Sequence, residues 1–276
     1  MGAPMAGHLA TAGHDVTVYN RSFAKAEAWA GNYKGKAART PIEAVEGAEV
    51  LITCVGNDAD LDALLLRSDE VLRAMAGGLV IDHTTVSARI ARNLAAGAAE
   101  CGVDFVDAPV SGGQAGAQNG TLSIMCGGTA EAMARATPVM DAYAARIVHV
   151  GASGAGQTTK MVNQICIAGV LQGLSEALRF AQASELDLGK VFDAISGGAA
   201  ASWQMQNRWA TMARDEFDFG FAVDWMRKDL GLTLDEAKVN GALLPVTALV
   251  DQFYAEVQKM GGARQDTSSL VRRLPK

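Results

Sequence analysis

Lys160, Asn163 and Gln164 are spaced three and four residues apart at the start of a long apolar run, a spacing that on a helix sets one amine beside two amides. The glycine-rich segment before them, residues 151–156, lets the backbone approach a ligand closely. A helix start adds unpaired N–H groups and the positive end of a dipole. A cation, two amides and that dipole suit a small anionic substrate. A lysine near a helix end is ordinarily solvated. Here Met161, Val162, Ile165, Ile167, Ala168, Val170, Leu171 and Leu174 make the segment apolar nearly all round, which predicts burial and with it a functional lysine.

The elements that must position these groups fall into two rhythms. Up to Val150, β-rich runs at 16–19, 50–55, 79–82, 103–106, 122–126 and 147–150 alternate with helical patterns at 24–30, 59–66, 88–100 and 131–143. That alternation predicts parallel pairing with right-handed crossovers, a Rossmann-like doubly wound α/β sheet. Beyond it the strands stop, and helical patterns run 157–183, 188–195, 203–213, 223–238 and 245–260. We expect two domains, 1–152 and 153–276, divided at the glycine cluster, the first binding a dinucleotide and the second all-helical.

The opening residues read as a helix, a turn at Gly13 and a strand. In a dinucleotide fold Gly2 takes the place of the last glycine of G-x-G-x-x-G, and the strand and two glycines that should come before it are missing. The expectation is a doubly wound sheet without its first strand, in a shortened chain. At the end of the second expected strand stands Asn20-Arg21-Ser22 rather than the Asp or Glu that grips the ribose hydroxyls of NAD. Arg21 can stack on adenine and pair with a 2′-phosphate, so NAD and NADP both fit and the lean is to NADP.

Composition narrows the partners. The 276 residues are 49% hydrophobic and 20% charged, enough for a substantial core. With 24 basic and 30 acidic residues the net charge is −6 and the basic residues are scattered, which argues against nucleic acid or an anionic membrane. No apolar run reaches membrane-spanning length. Cys54, Cys101, Cys126 and Cys166 form no Cys-x-x-Cys pair and the four histidines are far apart, so no disulfide scaffold or metal site is expected; a reducing cytosol fits.

Taken in order, Met1-Gly-Ala-Pro-Met-Ala, Asn20-Arg21-Ser22, Asp82-His-Thr84-Thr85, Asp107-Ala-Pro-Val-Ser111-Gly112-Gly113, 151–164 and Lys228-Asp229-Leu230 resemble the β-hydroxyacid dehydrogenase family, and within it the 3-hydroxyisobutyrate dehydrogenases. The matching runs span nearly the whole chain. The resemblance implies a Rossmann-like domain, an all-helical domain like that of 6-phosphogluconate dehydrogenase, and a homodimer or homotetramer. It also implies that Lys160 is the catalytic acid/base. Ser111, Gly112 and Gly113 would hold a small carboxylate substrate, with Asn163 and Gln164 orienting it, while Gly2, Asn20, Arg21, Val55, Thr85 and Lys228 would meet the cofactor. Relatives commonly carry Asn-Asn where this chain has Asn163-Gln164, a departure shared with glyoxylate and tartronate semialdehyde reductases.

The activity so implied is the interconversion of a small 3-hydroxyacid and its semialdehyde. Reduction of glyoxylate, tartronate semialdehyde or succinic semialdehyde is the alternative, and an inactive shortened chain is a further one. Several of these residues also have plainer readings. Thr84-Thr85 suits the N-cap of the helix at 88–100, and His83 suits a neighbour packed beside a strand end. Trp203, Trp209, Trp225 and the 217–221 stretch suit core or subunit contacts, with Phe221 and Trp225 possible borders of a pocket.

Overall fold

The structure is a computed structural model that describes residues 1–275. It divides into two compact units, Met1–Lys160 and Met161–Lys276. In the first unit the order is α1 (Gly2–Thr11), β1 (Thr17–Tyr19), α2 (Phe23–Asn32), β2 (Lys36–Ala38), α3 (Pro41–Val45), β3 (Val50–Thr53), α4 (Asp58–Leu61), α5 (Glu70–Ala74), β4 (Leu79–Asp82), α6 (Ala88–Glu100), β5 (Asp104–Asp107), β6 (Val110–Ser111), α7 (Gly113–Asn119), β7 (Leu122–Gly128), α8 (Ala130–Met140) and β8 (Ala144–Gly151).

Strands β3, β4 and β5 pair in parallel, as strands joined through helical crossovers should. The side-chain alternation of a strand then feeds two separate cores. Leu79, Ile81 and Val106 point into one, with Met5 and Leu9 of α1 and Met133 and Met140 of α8. Val80 and Phe105 point into the other, with Leu61 of α4, Leu72 of α5 and Ile90 and Leu94 of α6. All four residues of β4 are buried, which fits a strand covered on both faces.

The sheet departs from the expected all-parallel pattern. β7 runs antiparallel to β5 and β6, and parallel to β8. The cause is local: β6 and β7 are joined through the short α7, too little chain for a parallel crossover. β1 and β2 form a parallel two-stranded sheet of their own. Among the described residues no strand hydrogen-bonds between β1 and β3.

Helix α9 (Ala155–Ala183) is continuous, so the expected helical phase of Lys160, Asn163 and Gln164 is present. The second unit holds the rest of α9 with α10 (Leu188–Ile195), α11 (Trp203–Ala213), α12 (Val223–Asn240) and α13 (Pro245–Val257). One cluster joins Ala168 and Leu171 to Met226, Leu230, Val250 and Tyr254. A second joins Leu174 and Leu178 to Met205, Trp209 and Met212. Trp209 is thus core, as expected, whereas Trp203 and Trp225 are exposed. Side chains of Asp187 and Ser202 cap α10 and α11, which fixes where each begins.

Candidate active site

The first turn of α9 is held by one buried carboxylate. Asp107, the last residue of β5, accepts from Gly154 N at 2.7 Å through Oδ1 and from Gln157 N at 3.0 Å through Oδ2. A helix start leaves N–H groups without intrahelical partners, and a carboxylate there also meets the favourable end of the dipole. The fit is tight: a Cβ on Gly156 would come within 2.5 Å of the Asp107 and Met125 carbonyl oxygens, so only glycine fits there. Burial pushes the Asp107 carboxyl up to about 7, against the two N–H donors, which pull it down.

From that first turn Lys160 reaches back over the segment that follows β5. Its Nζ donates to Val110 O at 2.9 Å, directly before Ser111, and the side chain is buried. Gly112 and Gly113 follow with φ of 128° and 61°, conformations costly for any residue with a Cβ. The structure therefore brings Lys160 against the Val110–Ser111 backbone within the first unit.

The residues proposed from the sequence for the cofactor lie in the same unit, apart from Lys228 in the second. Gly2 opens α1 beside Cys54, the residue before Val55: a Cβ on Gly2 would lie 3.5 Å from the Cys54 Cβ. Val55 N donates to Thr84 Oγ1 at 3.1 Å, which ties the end of β3 to the residue before Thr85. Arg21 pairs with Asp60 of α4 at 2.8 Å, and Asn20 Oδ1 accepts from Ser22 N. α1 starts with no side-chain cap and no acidic residue in its first turn. Uncapped N–H groups, a dipole end and an exposed guanidinium form a donor set that fits the phosphates of a dinucleotide.

Gln157 joins the two regions. Its Nε2 donates to Thr84 O at 2.7 Å and its Oε1 accepts from Val86 N at 3.1 Å, so the backbone on both sides of Thr85 is held from α9. The expectation that Thr84-Thr85 caps α6 does not hold. Ser87 is the cap, accepting from Ile90 N, and Thr84 is engaged with Val55 instead. His83 packs as expected. It is buried, with Nδ1 donating to Ala108 O at 2.6 Å and Nε2 accepting from the Tyr143 hydroxyl at 2.9 Å, and burial lowers its pKa to about 4.

In the second unit, Asn163 Nδ2 donates to Gln164 Oε1 at 2.8 Å, and Gln164 Nε2 donates to Asp229 Oδ2 at 2.7 Å. Lys228 Nζ lies 3.2 Å from Asp229 Oδ1. Three residues singled out from the sequence, Asn163, Gln164 and Lys228, thus meet through Asp229.

Residues 1–151 match the family model for the NAD binding domain of 6-phosphogluconate dehydrogenase. Residues 154–274 match that for the NAD-binding of NADP-dependent 3-hydroxyisobutyrate dehydrogenase. An uncharacterized oxidoreductase of Shewanella frigidimarina is 57% identical, over 100% of this chain and 95% of that protein. The 3-hydroxyisobutyrate dehydrogenase of Pseudomonas aeruginosa is 35% identical, over 92% of this chain and 88% of its own. The chain belongs to the β-hydroxyacid dehydrogenase family. A solved structure of Mycobacterium tuberculosis 3-hydroxyisobutyrate dehydrogenase with L-serine superposes with a TM-score of 0.90 at 33% identity, covering 100% of this chain and 96% of that one. This β-hydroxyacid dehydrogenase is accordingly an NAD(P)-dependent 3-hydroxyacid oxidoreductase.

Sequence reading missed what Asp107, Gln157 and Asp60 do in this β-hydroxyacid dehydrogenase. Asp107 leaves a testable trace. Its folded-state value of about 7 lies above its ordinary 3.8, so the folded protein keeps a proton that the unfolded chain has released. Stability from this group is full below about pH 4 and falls as the pH rises toward about 7. We expect Tm to decline across that window in the wild type and to flatten in Asp107→Asn. Parallel Tm–pH curves for the two proteins would show that Asp107 does not titrate there.

Proposed function

We propose that this dehydrogenase interconverts a small 3-hydroxyacid of the 3-hydroxyisobutyrate kind and its semialdehyde, with Lys160 as the general acid/base. The observation that carries the reading is the buried Lys160 amine, 2.9 Å from Val110 O and next to Ser111. The net reaction is hydroxyacid plus NAD(P)+ giving oxoacid plus NAD(P)H and a proton. When bound, the nicotinamide supplies the hydride acceptor. Lys160, in its neutral form, takes the hydroxyl proton as the C–O bond gains double-bond character; in reverse its ammonium polarises the carbonyl and returns the proton. The Ser111 hydroxyl and the N–H groups of Gly112 and Gly113 hold the substrate carboxylate, a charge-assisted arrangement that orients the reacting carbon. Asn163 and Gln164 orient the hydroxyl.

On the cofactor side we assign Gly2, Asn20, Arg21, Val55 and Thr85 to the dinucleotide, together with Lys228. The uncapped start of α1 supports pyrophosphate binding. Asn20 and the exposed Arg21 support a preference for NADP, since no carboxylate ends β1. The domain roles we propose are cofactor binding by residues 1–152 and substrate binding and assembly by 153–276, as a cytoplasmic homodimer or homotetramer. L-Serine, itself a 3-hydroxyacid and named with the Mycobacterium structure, joins the candidate substrates.

Four outcomes test the reading. In a panel of 3-hydroxyisobutyrate, L-serine, glyoxylate, tartronate semialdehyde and succinic semialdehyde, a 3-hydroxyacid should give the highest kcat/KM. Lys160→Ala should lower kcat by about 10²–10⁴-fold while cofactor binding persists, and near-normal turnover in that variant removes the mechanism. Ser111→Ala should raise KM by about tenfold, the loss of one hydrogen bond to a charged group; an unchanged KM puts the carboxylate elsewhere. Arg21→Ala should weaken NADPH by about tenfold relative to NADH in direct binding, and equal losses for both cofactors would contradict the NADP preference.

A further inference from the structure

Asp229 and Gln164 are 2% and 1% exposed, so neither can turn to water to satisfy its polar atoms. An ionised carboxylate only accepts hydrogen bonds, whereas each end of an amide has a fixed role. With Asp229 Oδ2 at 2.7 Å, Gln164 must present its NH₂ to the carboxylate. Its oxygen is thereby turned toward Asn163, which must answer with its own NH₂ at 2.8 Å. What remains on the far side of Asn163 is its carbonyl oxygen, an acceptor. Lys228, 3.2 Å from the other carboxylate oxygen, balances the charge that starts the sequence. The order carboxylate, amide, amide has one direction and ends on an acceptor.

We propose that Asp229 is a positioning residue that fixes the orientation of both amides, so that Asn163 offers an acceptor to a donating group of the substrate, its hydroxyl. This rests on the reading that Asn163 faces the substrate, and it deepens it: the site selects the alcohol over an isosteric acid whose corresponding group cannot donate. A shorter asparagine at position 164 would have less reach toward Asp229. The Asn163-Gln164 pair and Asp229 therefore act as one unit.

The test uses the full chain carrying Asp229→Asn, Gln164→Glu, or both. Asp229→Asn can donate or accept, so Gln164 loses its imposed direction; Gln164→Glu sets two carboxylates against each other. The double variant restores the order: the new asparagine donates to the new carboxylate, whose second oxygen still accepts from Asn163. Each single variant should lower kcat for the hydroxyacid by about tenfold or more, and the double should return to within about threefold of the wild type. Losses that simply add in the double variant, or single variants with wild-type kcat, overturn the proposal. The Asn163 side-chain NH₂ resonances of the ligand-free protein give a readout apart from turnover. They should be slow to exchange in the wild type and the double variant and fast in Asp229→Asn; equal exchange in all of these proteins also overturns it. Should Lys160→Ala remain active while the resonances behave as expected, the catalytic reading fails and the amide orientation stands.

Discussion

A helix that begins inside a protein brings N–H groups that water cannot reach, and at α9 two of them end on the Asp107 carboxylate. Much of the first unit's site geometry follows from that contact. It fixes the phase of α9 against the end of β5, and with it the point at which the Lys160 side chain can emerge. The Lys160 amine returns to Val110 O, three residues beyond Asp107, so α9 is joined to one short segment at two levels, its start through the Asp107 carboxylate and its next turn through the amine. Gly156 permits the approach because its position has no room for a side chain. A misplacement of the helix start by one residue would turn the amine about 100° away, since a helix advances by 3.6 residues per turn.

Buried polar side chains elsewhere act in the same manner, each holding backbone or amide groups that apolar packing leaves undirected. Gln157 pins the backbone on both sides of Thr85, and Ser87 is held by Asp58, so the loop after β4 is bound from two directions. In the second unit Asp229 does for side chains what Asp107 does for a helix end. Apolar burial supplies the bulk of stability and is indifferent to small rotations; hydrogen bonds in a low-dielectric interior are not. The chemistry proposed for this chain needs the second kind of constraint.

The long periodic elements were legible in the sequence because burial on one side imposes a period that can be read. α6, α9, α10 and α11 lie where their apolar spacing puts them, and so does β4. β2, β6, α3, α5 and α7 escaped, each being too short to express a period. The antiparallel turn of β7 escaped for another reason: strand direction is set by connection length and twist, not by the strand's own residues. Among the site residues, Lys160 was marked by its apolar surroundings. Asp107, Gln157 and Asp229 were not, because their partners stand 47, 73 and 65 residues away and nothing local records the meeting. The N-cap of α6 was misread by two residues because three hydroxyls stand in the run 84–87, and Asp58 decides among them from outside it.

His83 lies next to this machinery yet is excluded from its proton traffic. Its Nδ1 hydrogen is committed to the Ala108 carbonyl and its Nε2 lone pair to the Tyr143 hydroxyl, so the imidazole has one tautomer and no vacancy for a further proton. An inflection near neutrality in a rate–acidity plot for this enzyme therefore has to be ascribed to an amine or a carboxyl group, not to the ring that its location would first suggest.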